Sequence, residues 1–414
     1  MRFALVTTFF GSHRFGGDAA YVERLAAALL RRGHEVEVFC SRDAFEVVRG
    51  RTEPLPYVAP PGLVLHSLQT SRPLWSVLRL HQTGGLGPYR DALGQALVRG
   101  GFDVVHLHNI SLMGGAGLLA LDVPGAVRLM TVHEHWLTCP LSVRWRFNRE
   151  PCLEQACVRC TVRAGRPPQW WRMADTMPAS FRDVPVAIFP STAALEAHRE
   201  RGFAHPNAHV LPYFMPREWL REQPPSEPRD AFLFVGRLVK EKGLQELLPL
   251  FRKRPHLRLE VVGDGPYRSF LEQLSGAAAN IRFLGTLGAD AVRERLTRAR
   301  ALLVPSLFPE TLGYVVLEAW SQAVPVLVSS AGALPELVAD GGGQVCRSSA
   351  EFASWIDRWT ACPSEADDTG LQGWRRCHAD FTEDQHLATL EKLIAGRQRV
   401  PQRTVVPVSG NNHP

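Results

Sequence analysis

Two distant stretches of this chain open in the same way, with a short apolar run, a glycine-bearing turn and then a helix. In the first, residues 2–8 form the run, Gly11, Gly16 and Gly17 lie in the turn, and Ala19–Arg32 has the helical pattern. Gly33 follows at a position suited to the left-handed end of a helix, and Glu35–Cys40 reads as a second strand. Continuous apolar runs belong to strands buried on both faces, and such strands pair in parallel beneath covering helices. The second stretch restarts at Ala231–Val235, turns through Gly236–Gly243, and continues as a helix from Leu244. Leu257–Val262 and the tight turn Gly263-Asp264-Gly265-Pro266 come next. Further strands are expected at 63–68, 103–109, 126–132, 184–189, 281–285, 301–304 and 324–328. Residues 43–100 are otherwise less regular, with Pro54, Pro56, Pro60 and Pro61 marking a loop and a helical pattern at 88–100. The expected fold class is α/β, with two Rossmann-like parallel-sheet domains at residues 1–214 and 231–380. A linker rich in proline and charge spans 215–230, a helix is expected at 381–396, and a polar tail expected to be disordered runs over 397–414.

The bulk numbers agree with this division. A chain of 414 residues is long enough for two full cores, and 45% hydrophobic with 21% charged residues is ordinary for a water-soluble globular protein. The net charge of +6 favours anionic partners such as phosphorylated ligands or an acidic membrane face, and does not call for nucleic acid. No apolar run reaches spanning length, and the start reads as a first strand rather than a signal peptide. The expected location is cytoplasmic, extending to the inner face of the membrane. In that setting the eight cysteines point to thiols or metal rather than disulfides.

The richest stretch is Pro305 to Trp320. Ala301–Val304 reads as a buried strand, Pro305 and Pro309 stop it, and a helix begins near Gly313. Glu310 therefore lies on a loop at the carboxyl end of a strand, where open α/β sheets bind ligands, and Glu318 lies in the following helix. Eight positions on one continuous helix would separate the two side chains by roughly 80°. Two separate acceptors on one hydroxyl-bearing ligand suit that geometry better than an acid/base dyad. The competing reading is a carboxylate in a first turn plus a solvated one.

Other candidates sit at equivalent places. Gly16 and Gly17 precede a helix N-terminus, which suits an anion or a simple glycine turn. The absence of G-x-G-x-x-G removes the dinucleotide fingerprint. Gly236, Arg237, Lys240 and Lys242 place cations beside a glycine turn, either an anion site or a solvated charged loop. His108 and the trio His133-Glu134-His135 fall at the ends of two strands, with His133 the foremost ligand-facing candidate. Cys139, Cys152, Cys157 and Cys160 concentrate half the cysteines in an insertion at about 136–180. Cys157-Val158-Arg159-Cys160 forms a C-x-x-C knuckle, and Cys139 and Cys152 would complete a tetrahedral set for structural zinc. Free thiols, an iron–sulfur centre or a disulfide are the other readings. Trp145, Trp170 and Trp171 alternate with Arg144, Arg146 and Arg172, a mixture that suits a membrane interface, an acceptor groove or a partly buried aromatic loop.

Taken in order, these residues resemble a known family. Gly16-Gly17, Arg32-Gly33-His34-Glu35-Val36, Thr131-Val132-His133, Val235-Gly236-Arg237 with Lys242-Gly243, Val262-Gly263-Asp264-Gly265-Pro266, and Pro305-Ser306 followed by Glu310 and Glu318 span nearly the whole chain. Together they are similar to the retaining GT-B-fold glycosyltransferases of family 4. That resemblance implies a sugar transferred from a nucleotide diphosphate sugar, with UDP or GDP as carrier, to a glycan, lipid-linked or small-molecule acceptor in cell-surface polysaccharide synthesis. It implies that Arg237 and Lys242 grip the diphosphate, with Gly236 and Gly263 lining the donor site, and that Glu318 bonds the ribose. Glu310 and the backbone of Thr311, Leu312 and Gly313 would hold sugar hydroxyls. His133 would approach the transferred sugar, Gly16 and Gly17 would line the crevice, and His108 and His135 fall on the acceptor side. It also implies metal-independent front-face chemistry, no cofactor for catalysis, and a C-terminal helix packed back on the first domain. Two features depart from the common pattern. Ala323 stands where glycine is usual before the Val-Pro-Val strand, and the cysteine cluster marks a bacterial subset. A nucleotide-sugar epimerase and a non-catalytic nucleotide-sugar-binding protein on the same fold are the alternatives.

Overall fold

The structure, a computed structural model, describes residues 1–50, 56–174, 176–225 and 227–398. From residue 399 on, the tail named above lies outside the described residues. Nine strands belong to the first half. These are β1 (Arg2–Val6), β2 (Glu35–Ser41), β3 (Leu63–Leu68), β4 (Val104–Leu107), β5 (Val127–Thr131), β6 (Trp145–Arg146), β7 (Glu150–Pro151), β8 (Val186–Phe189) and β9 (Ala208–Val210). The second half adds β10 (Ala231–Val235), β11 (Arg258–Val262), β12 (Ile281–Gly285), β13 (Ala299–Val304), β14 (Val326–Ser329) and β15 (Gly343–Cys346).

These strands make a seven-stranded sheet in the order β3-β2-β1-β4-β5-β8-β9 and a six-stranded sheet in the order β12-β11-β10-β13-β14-β15. Neighbours in both sheets pair in parallel. The short antiparallel ribbon β6–β7 stands apart. In each sheet the strand order reverses beside the first strand, between β1 and β4 and between β10 and β13. Loops leaving those strands part there and open a crevice at their carboxyl ends. The uninterrupted apolar runs explain the burial, since Phe3–Val6, Phe232–Phe234 and Ala301–Val304 are all buried.

The C-terminal helix Glu383–Gln398 crosses to the first half. Tyr21 and His386 share a hydrogen bond of 2.8 Å, and Arg31 donates from Nε to Glu383 at 3.1 Å. Tyr213, Phe214, Tyr314 and Leu387 belong to one apolar cluster with members in both sheets. Among the described residues no helix is long and apolar enough to cross a membrane.

Three places differ from the sequence expectation. Arg42–Arg49 is a helix inside the stretch read as irregular, started by Ser41, whose side chain accepts from Ala44 N at 3.0 Å. The helix expected from Leu244 is first two 3-10 turns, Lys240–Lys242 and Leu244–Glu246, before α-helix over Leu248–Arg252. Finally, Ser349–Ala361 and Pro363–Asp380 are helices where none was expected. The second runs through Gly370 and Gly373, residues of low helix propensity. Packing requires them, because a Cβ at Gly370 would lie 2.0 Å from the Ala323 carbonyl oxygen and one at Gly373 would lie 2.3 Å from Trp320.

Candidate active site

The loop after β13 is held from three sides. Gly313, at φ +92°, starts the helix Tyr314–Ser321. Glu310 accepts from Ser306 Oγ at 2.6 Å and from Lys242 Nζ at 2.7 Å, both at Oε1, which leaves Oε2 for another donor. Thr311 Oγ1 donates to the His133 carbonyl at 2.7 Å, and Ser191 Oγ donates to the Thr311 carbonyl at 2.6 Å. The first sheet's loops therefore touch the same turn that carries Glu310. Glu318 accepts from Arg24 Nη2 at 2.8 Å across the two halves. The Arg24 guanidinium lies 4.6 Å from the Tyr314 ring and 5.0 Å from the Trp219 ring, so its direction is fixed by stacking as well as charge.

Lys242 reaches Glu310 because two loops interlock. Gly243 has φ +75°, and a Cβ there would meet the Pro305 carbonyl oxygen at 1.8 Å. Leu307 N donates to the Glu241 carbonyl at 2.8 Å in the same clasp. Gly263, at φ +131°, lets the turn after β11 approach Gly236, whose oxygen would lie 1.9 Å from an added Cβ. Arg237 projects into the crevice, exposed, with its guanidinium 4.7 Å from the Phe15 ring of the first half.

The opposite wall carries two carboxylates that sequence reading did not single out. Gly16, at φ +93°, precedes the helix Gly17–Arg31, and Asp18 in its first turn accepts from Asn109 Nδ2 at 2.8 Å. Burial raises the Asp18 carboxyl above its usual range. Glu134 accepts from Ser142 Oγ at 3.0 Å, and burial, helped by the Asp18 charge, pushes it up to about 8. Among the described residues neither has an ion-pair partner, and the charge of Arg237 acts on both.

The imidazoles form a buried, neutral group. His133 Nδ1 meets Tyr213 OH at 2.6 Å and His133 Nε2 meets His108 Nδ1 at 2.9 Å, so both of its ring nitrogens are engaged within the first half. Burial holds His106 and His133 down to about 3 and His108 well below its usual range. His108 lies behind His133, and its Nε2 has no partner among the described residues. His135 turns toward the second half, where its Nε2 lies 2.9 Å from the Pro309 carbonyl oxygen, and it stacks on His198 at 5.2 Å.

Cys139, Cys152, Cys157 and Cys160 line one cavity as free thiols. Among the described residues no group of three or more His, Cys, Asp or Glu side chains stands at the spacing of a metal ion. The aromatic–basic segment is largely internal. Trp171 Nε1 donates to the His81 carbonyl at 2.9 Å, and Arg172 lies between Trp136 at 4.7 Å and Trp171 at 4.9 Å. Trp170 alone of this group is well exposed, at 57%.

The structure thus gathers Glu310, Thr311, Lys242, Arg237, Glu318 and His133 around one crevice and adds Arg24, Asp18, Glu134 and Tyr213. Asp18 and Glu134 carried a local signal, one directly after the glycine pair and the other between two flagged histidines. Nothing in the neighbourhood of Arg24 marked it.

Comparison with known proteins points the same way. The family described as "Glycosyltransferase Family 4" matches residues 15–218, and "Glycosyl transferases group 1" matches residues 216–373. The chain is 27% identical to the MMP alpha-(1->4)-mannosyltransferase of Mycolicibacterium hassiacum, over 95% of this chain and 99% of that one. It is 38% identical over 106 residues to a sulfoquinovosyl transferase of Arabidopsis thaliana, a match that spans 26% of this chain and 20% of the relative's length. A match to an uncharacterized glycosyltransferase of Methanocaldococcus jannaschii, at 36% identity, spans 26% of this chain and 28% of that relative. The fold is that of sucrose-phosphate synthase from Thermosynechococcus elongatus, with a TM-score of 0.74, 20% identity, and 96% and 98% of the two chains covered. Anabaena HepE in complex with UDP-glucose is similar at a TM-score of 0.67 and 15% identity, over 96% and 100% of the chains.

Proposed function

We propose, from the premise that this chain belongs to the family 4 glycosyltransferases with a group 1 second half, that it transfers a hexose-type residue from a nucleoside diphosphate sugar to an acceptor hydroxyl with retention of configuration. The observation that carries this reading is the set Lys242, Glu310, Glu318 and Arg237 at the reversal point of the second sheet, facing the first. Arg237 and Lys242 bind the diphosphate, because fixed cations stabilise the charge that develops on the leaving group. Lys242 is already tethered by Glu310, so little reorganisation accompanies its engagement. The free Oε2 of Glu310 and the backbone N–H groups of Thr311–Gly313 hold sugar hydroxyls. Glu318, oriented by Arg24, takes the ribose. Gly16 and Gly236 line the crevice where backbone must come close. Glu310 stays an acceptor in this scheme. The leaving diphosphate takes the acceptor proton, and no metal enters the reaction. His133, held by Tyr213 and His108, shapes the wall beside the transferred sugar.

UDP or GDP is the proposed carrier. HepE, of the same fold, was crystallised with UDP-glucose. The acceptor is a glycan, lipid-linked or small hydroxyl compound, used in surface-polysaccharide assembly at the inner face of the membrane. A thermal-shift screen with UDP-, GDP-, TDP- and ADP-sugars tests the donor, since a ligand of the folded state raises the melting temperature. Transfer by the wild type, undiminished by EDTA and lost in both Glu318→Ala and Lys242→Ala, is the expected result. Full transfer by both variants, or conversion of the donor with no acceptor present, overturns the reading.

A further inference from the structure

The excursion between β5 and β8 has almost no core of its own. Over residues 138–169 the one apolar side chain that is buried is Trp145. Its backbone is nevertheless tightly specified. Ser142, Arg144, Phe147 and Asn148 have φ of 66°, 48°, 53° and 56°, and among the described non-glycine residues only Ala323 shares that region. Each left-handed residue of this kind costs about 1–2 kcal/mol and persists only where its surroundings over-determine it. Weak apolar burial does not supply that, so something else must hold these turns.

One of these turns aims an amide at sulfur. Phe147 N–H donates to Cys160 Sγ at 3.3 Å. A neutral thiol is a weak acceptor for such an amide. A thiolate is a strong one, because its hydrogen bonds are charge-assisted. The four sulfurs come from three separate segments, yet they line one cavity. Cys157 opens the helix Cys157–Arg163, and Cys160 follows one turn later, as in a metal-binding knuckle. Arg144 and Arg172 stand close enough for their charges to act on Cys139, with Cys152 also near Arg144 and Cys157 near Arg172. Arg144 also ties the excursion to the domain by donating to the Ala197 carbonyl at 2.9 Å.

We propose that this cavity is a structural metal site that takes one zinc ion on the thiolates of Cys139, Cys152, Cys157 and Cys160. Four S–H bonds are exchanged for four Zn–S bonds, and the four protons go to solvent. As placed here the sulfurs ring the cavity too loosely to hold an ion, so binding draws them in to about 2.3 Å from the metal. The resulting net charge of about −2 is offset by the Phe147 amide and by Arg144 and Arg172. A soft, all-sulfur tetrahedral set suits zinc, with iron and Cu(I) as the competing metals. The site supplies the folding energy that the excursion lacks. It also steadies the crevice wall, because His135 and Leu137 at the start of the excursion contact the Pro309 carbonyl and Arg172.

The test uses the full chain, purified from zinc-replete growth without a metal-affinity step. Elemental analysis is expected to give about one zinc per chain, released on titration of the thiols with a mercurial, and X-ray absorption a sulfur-only shell at about 2.3 Å. Cys157→Ser and Cys160→Ser are expected to lose most of the zinc, whereas Cys362→Ser, an exposed thiol elsewhere, keeps it. If the serine variants do not fold, cobalt exchanged into the wild type decides, by showing or failing to show the thiolate charge-transfer bands of a four-sulfur site. Wild-type protein without zinc whose four thiols are all alkylated in the native state overturns the proposal. So do iron with or without labile sulfide, copper, a disulfide within the set, or zinc bound through nitrogen or oxygen. None of these readouts depends on donor or acceptor, so they stand apart from the transferase assignment.

Discussion

Arg24, on the first helix of the chain, donates to Glu318 in the second half at 2.8 Å, and both side chains are mostly buried at 13% and 17% exposure. The pair joins the two walls of the crevice at the carboxylate assigned to the donor ribose. Only Oε1 of Glu318 receives Arg24, so the second oxygen can serve a ligand while the first stays anchored. The contact between the two halves and the orientation of Glu318 thus depend on the same ion pair.

Arg24→Met is therefore expected to lower unfolding stability by about 3 kcal/mol, since it leaves a buried carboxylate without its cation. Glu318→Gln should lose less, and the double variant should recover about 1–2 kcal/mol relative to additivity. Urea unfolding of the four proteins measures the coupling, and additive losses would separate the two residues.

Changes around the diphosphate should divide by role. Lys242→Ala and Arg237→Ala are expected to lower kcat by about 10²–10³-fold, because their contribution is largest as leaving-group charge develops. Glu318→Ala should lose transfer through the donor KM first, with activity too low to follow at ordinary donor concentrations, since a ribose bond is made equally before and during transfer. Initial rates over a range of donor concentrations distinguish these patterns.

Gly243 and Gly33 provide a paired test of backbone geometry. Both have positive φ, +75° and +82°, but an added Cβ meets the Pro305 oxygen at 1.8 Å in one case and nothing within 4 Å in the other. Gly33→Ala should cost about 1 kcal/mol from its conformation alone. Gly243→Ala should cost about 2–4 kcal/mol and displace Lys242, because the clasp between two loops must open. Melting temperatures and donor shifts of the two variants report both effects.

Stability should fall on both sides of a near-neutral optimum. His106 and His133 are held to about 3 from an ordinary 6.5, so the unfolded chain takes up protons first as the pH drops through 6.5, and stability is lost from there down. Glu134 is raised from 4.5 to about 8, so the folded chain keeps its proton longer and stability declines as the pH rises through that window. Glu134→Gln should flatten the alkaline limb and, because its window from 4.5 to about 8 overlaps that of the histidines, steepen the upper part of the acid limb. Melting temperatures between about pH 5 and about pH 9 test the signs.

Much of the framework was legible because it is local. The apolar runs at Phe3–Val6 and Ala301–Val304 carry their burial in consecutive residues, and Pro305, Pro309 and Gly313 mark the end of a strand and the start of a helix within one stretch. The helix Pro363–Asp380 was not legible, because Gly370 and Gly373 disfavour helix locally and are explained only by Ala323 and Trp320, which pack against them. Arg24 likewise looks like any charged helical residue until Trp219, Tyr314 and Glu318 surround it.

By itself, then, the sequence determined the α/β class, the doubled strand–turn–helix plan and the residue types at the strand ends, since each depends on neighbours along the chain. Only the tertiary structure decided which of those residues meet. It set Lys242 on one oxygen of Glu310, turned both nitrogens of His133 inward, and brought Asp18 and Glu134 to the wall opposite Arg237. The physical reason is that charge and hydrogen bonding act through space over a few ångströms. Those separations are fixed by how two sheets pack, and spacing along the chain does not encode them.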